Sequence, residues 1–184
     1  MRFSENRKVA FVVLVACVLV SIFGLGGMGL ARERSKVLAV YDRGTDANQT
    51  TRHSVDAYLD SAAENAALMA SEAGLHMEAS PLIDNVAQLG ENVAKESDTN
   101  ARYEAYVALK AAVDKLYNAV YKVAKGDAFK NFKVAYDDFW ESERFIKFDD
   151  YPKLAAKYND LISGVPGSLV AGITGQGALS TFGG

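Results

Sequence analysis

The chain has 184 residues, with 20 Lys and Arg against 23 Asp and Glu, so its formal net charge at pH 7 is -3. A mildly acidic chain does not complement the phosphate backbone of DNA or RNA, so we expect no nucleic-acid partner. The single cysteine excludes an intrachain disulfide framework and a thiolate metal site.

An uninterrupted apolar run near the N-terminus is the strongest signal in the sequence. The run begins at Val9, ends at Ala31 and contains no charged residue. As a helix it would be about 34 Å long, slightly more than the roughly 30 Å hydrocarbon core of a bilayer. We therefore predict one helix that spans the lipid bilayer.

The two ends of this run give less information about how the helix lies in the membrane. Three basic residues flank each end, so the positive-inside rule leaves the membrane orientation open. The glycines within residues 24–29 are expected to loosen the last turns of the helix, because their spacing lacks the small-xxx-small pattern of dimerising helices.

Two other interpretations of the apolar run stay open. Gly29 and Ala31 form a small-x-small site of the kind at which signal peptides are cleaved, although the run exceeds their usual apolar length of about 7 to 15 residues. The residues that end at Cys17 resemble a lipoprotein box, yet the chain stays apolar after Cys17, where a lipidated protein usually becomes polar. In a spanning helix, Cys17 is a small apolar side chain that faces lipid.

Composition divides the chain into five segments. A short basic N-terminus, residues 1–8, precedes the predicted transmembrane helix at residues 9–31. Residues 32–50 are predicted to form a juxtamembrane linker or an extension of that helix, since they become polar and rich in turn-forming residues. Residues 51–163 carry apolar residues at spacings of three and four, which predicts a helical bundle. Residues 164–184 are Gly-rich yet apolar, so we expect them to pack against the bundle, the membrane surface or a partner.

The bundle segment predicts an all-α fold of three or four antiparallel helices at coiled-coil spacing. The core face of the first helix is predicted to consist of Val55, Tyr58, Ala62, Ala66, Met69 and Ala73. Gly74 is expected to end this helix. Ser80 and Pro81 are predicted to cap and open the second helix, because a serine cap followed by proline is a common helix start.

The later helices are predicted with more alternatives. The second helix is expected to be long and to end at Gly126, with room for a kink or a solvated bulge in the polar stretch that starts at Glu96. Asp127 is predicted to cap the third helix, and Pro152 to kink or restart it. The aromatic segment around Trp140 has two interpretations: it is core packing, or it is a ligand-stacking pocket.

Candidate catalytic and metal-binding residues form no strong pattern. Glu72 and His76 lie four positions apart on one predicted helix face, but a di-metal carboxylate bundle needs Glu-x-x-His pairs on two helices. The acidic residues within 137–150 alternate with basic ones and predict a solvated face with ion pairs such as Glu143 with Lys147. Glu143 also falls on the apolar stripe, so we expect it to be partly buried. We therefore expect no catalytic residue, no cofactor and no metal, and no enzymatic activity.

Two short motifs in the last third of the chain carry a family resemblance. Tyr158 and Asn159 are followed by Pro166 and then by an apolar stretch, and Glu143 lies three positions before Ile146. These motifs are similar to those of the LemA family of bacterial membrane proteins. The matching residues are Glu143, Ile146, Tyr158, Asn159, Pro166, Leu169, Val170, Ala171, Gly175 and Phe182.

The LemA resemblance implies an N-terminal span that anchors antiparallel helices at the bacterial cytoplasmic membrane, and it implies no enzymatic activity. Tyr158 and Asn159 are expected to fix the last helix, and Pro166 to break it so that the apolar stretch folds back. We therefore expect a single-pass scaffold or interaction protein of the bacterial envelope, with protein partners or as a homo-oligomer. The alternative is a membrane-anchored small-ligand sensor that uses the aromatic segment around Trp140.

Overall fold

The computed structural model describes residues 7–44, 46–47, 50–51, 53–124 and 126–182. Most of the predicted basic N-terminus lies outside these residues, as do parts of the predicted juxtamembrane segment. The described chain is all-α, as the sequence predicts, apart from two-residue strands β1 (Asp46–Ala47) and β2 (Thr50–Thr51), which pair antiparallel.

Two compact units make up the described chain. The anchor unit combines the N-terminal helical stretch as far as Leu38 with Leu154–Leu179, and the bundle unit combines Ala39–Lys153 with the residues from Ser180 onward. Each unit has its own buried apolar residues.

The anchor unit begins with a continuous helical stretch. α1 (Arg7–Val20) passes into a π-helical turn (Ser21–Leu25), and α2 (Gly26–Arg43) follows. Among the described residues, Val9–Arg43 is the one helical stretch that is long and apolar enough to cross a membrane. Its most apolar window has no side chain buried within the protein, so these side chains face the surroundings.

Four helices of the described chain form the antiparallel bundle. They are α3 (Val55–His76), α4 (Pro81–Lys95), α5 (Thr99–Val123) and α6 (Lys130–Phe148). α3 packs against each of the other three, and its buried alanines allow a short distance between the helix axes.

The sequence signals for the ends of the first two bundle helices hold in part. Ser54 caps α3 by accepting a hydrogen bond from a backbone N–H three residues on, at 3.1 Å. The predicted end at Gly74 is wrong, since α3 continues for two more residues; a helical glycine costs only about 1 kcal/mol relative to alanine. Ser80 caps α4 and Pro81 is its first residue, which confirms the predicted helix start.

The predicted long second helix is two helices in the structure. α4 and α5 are separated by a connection at residues 96–98. The carboxylate of Asp98 accepts hydrogen bonds from the backbone N–H groups of Asn100 at 3.0 Å and Ala101 at 2.9 Å, which is helix N-cap geometry. The polar stretch therefore ends one helix and begins the next, rather than forming a kink within one helix.

The third predicted helix begins later than Asp127. After α5, Gly126 has a φ of 65°, which lies in the left-handed region that glycine tolerates. A 3₁₀ turn (Gly126–Phe129) then leads into α6. The side chain of Asp127 lies outside the described part of the structure, so its capping role stays a prediction.

Two further helices, α7 (Tyr151–Ser163) and α8 (Gly167–Thr174), follow the bundle helices in the chain. The Asp149 carboxylate accepts a hydrogen bond from the backbone N–H of Tyr151 at 2.8 Å. Pro152 is the second residue of α7, where a backbone N–H has no intrahelical acceptor. Of the two predicted effects of Pro152, the structure shows the restart.

Candidate functional site

A buried arginine on α5 joins three helices of the bundle unit. Arg102 is 5% exposed, and its Nε donates to the carbonyl oxygen of Val93 at 2.8 Å. Val93 lies in the last turn of α4, where carbonyl groups lack intrahelical partners. The guanidinium also pairs with Asp56 and Asp60 of α3. Arg102 therefore fixes α3 and α4 against α5.

Sequence reasoning missed Arg102 as a site, because arginine is mostly exposed in folded proteins. The available signal was the four-residue spacing of Asp56 and Asp60, which presents two carboxylates on one side of α3. Burial lowers the pKa of Arg102, but the surrounding Tyr41 and the two carboxylates outweigh burial, so the pKa lies above its ordinary value. The guanidinium therefore remains charged inside the bundle.

Glu143 on α6 is a second buried charge in the bundle unit. It is 5% exposed and accepts hydrogen bonds from Tyr106 Oη at 2.7 Å and from Lys110 Nζ at 3.0 Å. Lys147 Nζ lies 3.1 Å from the same carboxylate. The predicted burial of Glu143 and its predicted ion pair with Lys147 are both confirmed.

The pKa shifts at this pair fit a structural role better than a catalytic one. Burial raises the pKa of Glu143, but hydrogen bonds from Tyr106 and Lys110 outweigh burial, so the pKa lies below the ordinary 4.5. Burial, together with the charge of Glu143, raises the pKa of Tyr106. Neither group changes its charge near pH 7, whereas efficient general acid–base catalysis needs a pKa close to the working pH.

The aromatic segment around Trp140 packs largely on itself. Trp140 makes T-shaped contacts with Tyr136 and Phe139, with ring centroids 6.2 Å and 5.6 Å away. Tyr117 of α5 stacks on Tyr136 at 4.0 Å, and Phe139 is fully buried. These ring contacts favour core packing over a ligand-stacking pocket.

Asn159 holds the C-terminal segment of the anchor unit through both the nitrogen and the oxygen of its side-chain amide. Its Nδ2 donates to the carbonyl oxygen of Leu179 at 2.7 Å, and its Oδ1 accepts from the N–H of Leu179 at 2.8 Å. The neighbouring Tyr158 is buried, and burial raises its pKa against the opposing charge of Arg34. The Tyr-Asn motif therefore fixes the chain within this unit.

The apolar stretch after Pro166 folds back against the N-terminal helix. Val170 and Ala171 form a small buried core with Leu30, and Phe23 packs against this core. α8 ends where Gly175 adopts a φ of 69°. A glycine in this left-handed conformation is a common C-terminal helix cap. Leu169, on the same helix, is exposed.

Phe182 closes an aromatic cluster in the bundle unit. Its ring centroid lies 4.8 Å from that of Tyr103 and 5.8 Å from that of Tyr41. The nearby Ser180 donates from its backbone N–H at 2.8 Å and from its hydroxyl at 2.9 Å to Oδ1 of Asn100. The last described residues of the chain are therefore held by specific contacts.

The motif residues are divided between the two units. Glu143, Ile146 and Phe182 belong to the bundle unit, and the remaining motif residues belong to the anchor unit. Ile146 is fully buried in the bundle. Most of them are buried or hydrogen-bonded within their own unit, whereas Leu169 is exposed.

The predicted metal candidates, Glu72 and His76, both lie near the C-terminal end of α3 and are partly exposed. In the part of the chain that the structure describes, no group of three or more His, Cys, Asp or Glu side chains is placed to hold a metal ion. Structural zinc sites have four ligands, so this pair alone does not define a metal centre.

The described fold defines an all-α protein in which a four-helix bundle accompanies one N-terminal helix long and apolar enough to cross a membrane. No protein-family model matches the chain, and no curated protein or solved structure matches it. Membership of the LemA family stays a prediction from the motif residues.

Proposed function

We propose that the chain is a single-pass, membrane-anchored protein of the LemA type that acts as a scaffold at a bacterial cytoplasmic membrane. The observation that carries this proposal is the most apolar window of the helical stretch Val9–Arg43, none of whose side chains is buried within the protein. Its exposed side chains include Phe11, Val20 and Leu25. Removing a large apolar side chain from water contributes about 1.5 to 3 kcal/mol. This helix is therefore much more stable in a bilayer than in water.

We further propose that the protein has no catalytic activity. Arg102 and Glu143 are buried charges of the bundle unit, and both are engaged with neighbouring helices. Removing one partner from a buried ion pair is strongly destabilising. Their charges therefore support a rigid bundle that presents a fixed surface.

An exposed aromatic patch on the bundle unit is the proposed contact surface. This Phe148 patch consists of Tyr58, Arg144, Phe145 and Phe148, which line a cavity of about 780 Å³ together with the charged residues Asp149, Asp150 and Lys153. Phe148 is 73% exposed, Phe145 stacks on Tyr58 at 5.2 Å, and Arg144 lies over the Phe145 ring at 5.4 Å. Aromatic residues and arginine are enriched at protein–protein interfaces, so the patch suits a protein partner or a second copy of the chain.

Site-specific photo-cross-linking in native membranes tests the scaffold role. A benzophenone amino acid replaces Phe148 in one variant and Tyr121 in the control, because Tyr121 is also an exposed aromatic residue of the bundle. We expect discrete protein adducts from position 148 and none from position 121. An adduct of twice the chain's mass identifies a second copy, and any other discrete mass identifies a different partner. A strictly monomeric protein without adducts at position 148 would contradict the scaffold role.

The side of the membrane decides which partners the bundle can meet. Protease is added to intact spheroplasts that carry a C-terminally tagged protein, with a cytoplasmic protein as the control for lysis. Loss of the tag places the bundle outside the cytoplasm and points to envelope partners. Protection of the tag places it inside and points to cytoplasmic partners.

A further inference from the structure

We propose that α8 and the turn before it lie within the acyl-chain layer of the membrane, beside the end of the anchor helix, with bilayer lipids as their contact partner. The inference rests on the proposed membrane anchoring. The chain would then have a second membrane-embedded element, which enters and leaves the bilayer on the same side.

α8 packs against residues that lie within the charge-free run of the anchor. Val170 and Ala171 share a buried core with Leu30, and Phe23 packs against that core. Leu30 lies next to the end of the run, whereas Phe23 lies seven positions earlier, or about 10 Å deeper along a helix. A segment in contact with both residues lies beside the membrane-embedded part of the anchor.

Gly27 of α2 permits this close packing. A Cβ atom at Gly27 would lie 2.9 Å from Cγ2 of Thr174, and one at Gly26 would lie 3.4 Å from Cγ2 of Val170. The first distance is shorter than van der Waals contact allows, so glycine lets α8 approach the backbone of α2. Small residues at helix contacts are typical of packing inside membranes. Gly27 therefore accommodates the C-terminal segment, a role that the sequence did not predict for it.

The large exposed side chains of the segment are aliphatic, and its exposed polar side chains are the small hydroxyls of Ser168 and Thr174. Val165 is 83% exposed, Leu169 is 59% exposed and Ile173 is 65% exposed. Residues 161–184 contain no charged residue. Such a surface is unfavourable in water, and acyl chains would cover it.

Backbone groups of the segment make hydrogen bonds within it, which replace hydrogen bonds to water in the membrane interior. The N–H of Ser168 donates to the carbonyl oxygen of Gly164 at 2.7 Å, and the N–H of Val170 donates to that of Pro166 at 3.2 Å. The hydroxyl of Thr174 donates to the carbonyl oxygen of Val170 at 2.8 Å. Pro166 has no N–H that would need a partner.

A groove within the anchor unit has a lining that suits an acyl chain. Its volume is about 540 Å³, and Leu30, Leu161 and Val165 are among the residues that line it. Its acidic lining residues are Glu33 and Asp160, which lie at the charged borders of the two apolar segments in the sequence. Those borders are where lipid headgroups and water meet the protein.

Spin-label accessibility in the full-length protein tests the proposal. The changes Leu169→Cys and Ile173→Cys are made separately in a Cys17→Ala background, and the protein is reconstituted into phosphatidylcholine–phosphatidylglycerol vesicles. Val13→Cys is the lipid-facing control and Asn118→Cys the water-facing control, since both positions are exposed. Collision rates are measured with oxygen, which concentrates among acyl chains, and with a water-soluble nickel chelate.

We expect the labels at Leu169 and Ile173 to match the label at Val13, with nickel collisions several-fold below those at Asn118. Nickel access equal to that at Asn118, with Val13 still shielded, would overturn the embedding of α8 while leaving the anchor intact. Nickel access at Val13 as well would overturn the membrane anchoring and this inference together.

A matched pair of glycine variants tests the packing of α8 on the anchor. In Gly27→Leu the new side chain takes the space of Thr174, whereas a Cβ atom at Gly24 meets nothing within 4 Å. We expect Gly27→Leu to increase the mobility of the label at Leu169, seen as a narrower spectrum, and Gly24→Leu to leave it unchanged. The same spectrum in both variants would overturn the packing.

Discussion

Tyr106 of α5 donates its hydroxyl hydrogen to Glu143 of α6 across 2.7 Å, and both side chains are buried. Lys110 and Lys147 complete the surroundings of the carboxylate. The bundle therefore carries a negative charge in its interior, and its stability depends on keeping that charge paired.

Replacing Glu143 should destabilise the bundle. Glu143→Gln keeps the shape but removes the charge that faces Tyr106 and Lys110, and leaving buried polar groups poorly paired costs about 1 to 3 kcal/mol. We expect the free energy of unfolding to fall by that amount in urea titrations of the full-length protein in detergent micelles. Glu141→Gln is the control, because Glu141 is exposed and pairs with Arg144 on the surface. Equal losses in the two variants would contradict the role of Glu143.

Acid should weaken the fold through the same residue. Burial raises the pKa of Glu143, but hydrogen bonds from Tyr106 and Lys110 outweigh it, and the pKa lies below 4.5. A carboxyl group with a lower pKa in the folded state stabilises the fold above its unfolded pKa, and this contribution is lost as the pH falls through the folded pKa. The free energy of unfolding should therefore drop below pH 4.5 more steeply in the wild type than in Glu143→Gln. Parallel curves would assign the acid sensitivity to other groups.

Lysine should not substitute for Arg102. The guanidinium reaches the carbonyl oxygen of Val93 and the carboxylates of Asp56 and Asp60 together, whereas an ammonium group is a single point charge. We expect Arg102→Lys to lower the free energy of unfolding by about 1 to 3 kcal/mol. Arg144→Lys, on the exposed face of α6, should leave it nearly unchanged. An unaltered urea midpoint in Arg102→Lys would show that the three-helix contact is dispensable.

Asn159 should control the hydrogen exchange of one backbone amide. In Asn159→Ala the N–H of Leu179 loses its acceptor, and we expect its exchange rate to rise roughly tenfold, which matches about 1.4 kcal/mol. Asn159→Asp retains the acceptor oxygen, so the Leu179 amide should stay protected. Measurement is by hydrogen–deuterium exchange of the reconstituted protein. Unchanged exchange in Asn159→Ala would mean that other contacts hold this segment.

Features with a local cause could be predicted from the sequence. Ser80 and Pro81 mark the start of α4 because a cap acts within one helical turn. The position of Glu143 on an apolar stripe predicts its burial, because helical periodicity also depends only on nearby residues. The break after α4 also had a local signal, since Asp98 is a cap residue, but the apolar period on both sides suggested one long helix.

Features that join residues far apart in the sequence could not be predicted. Arg102 pairs with Asp56 and Asp60, which lie 46 and 42 positions away. Asn159 pairs with Leu179, 20 positions away. Periodicity predicts which face of a helix is buried, whereas the partner of a buried polar group depends on which helices meet and in which register.

The retention of the membrane anchor tests the central claim most directly. Membranes from cells that express the C-terminally tagged protein are washed with alkaline carbonate, and the protein is analysed by intact mass spectrometry. We predict that the protein stays with the membrane pellet and that its mass includes residues 9–31. Release by carbonate would show that the protein is not embedded in the membrane. A mass that lacks the residues up to Ala31 would show that the apolar run is a cleaved signal peptide. Either result would contradict the account.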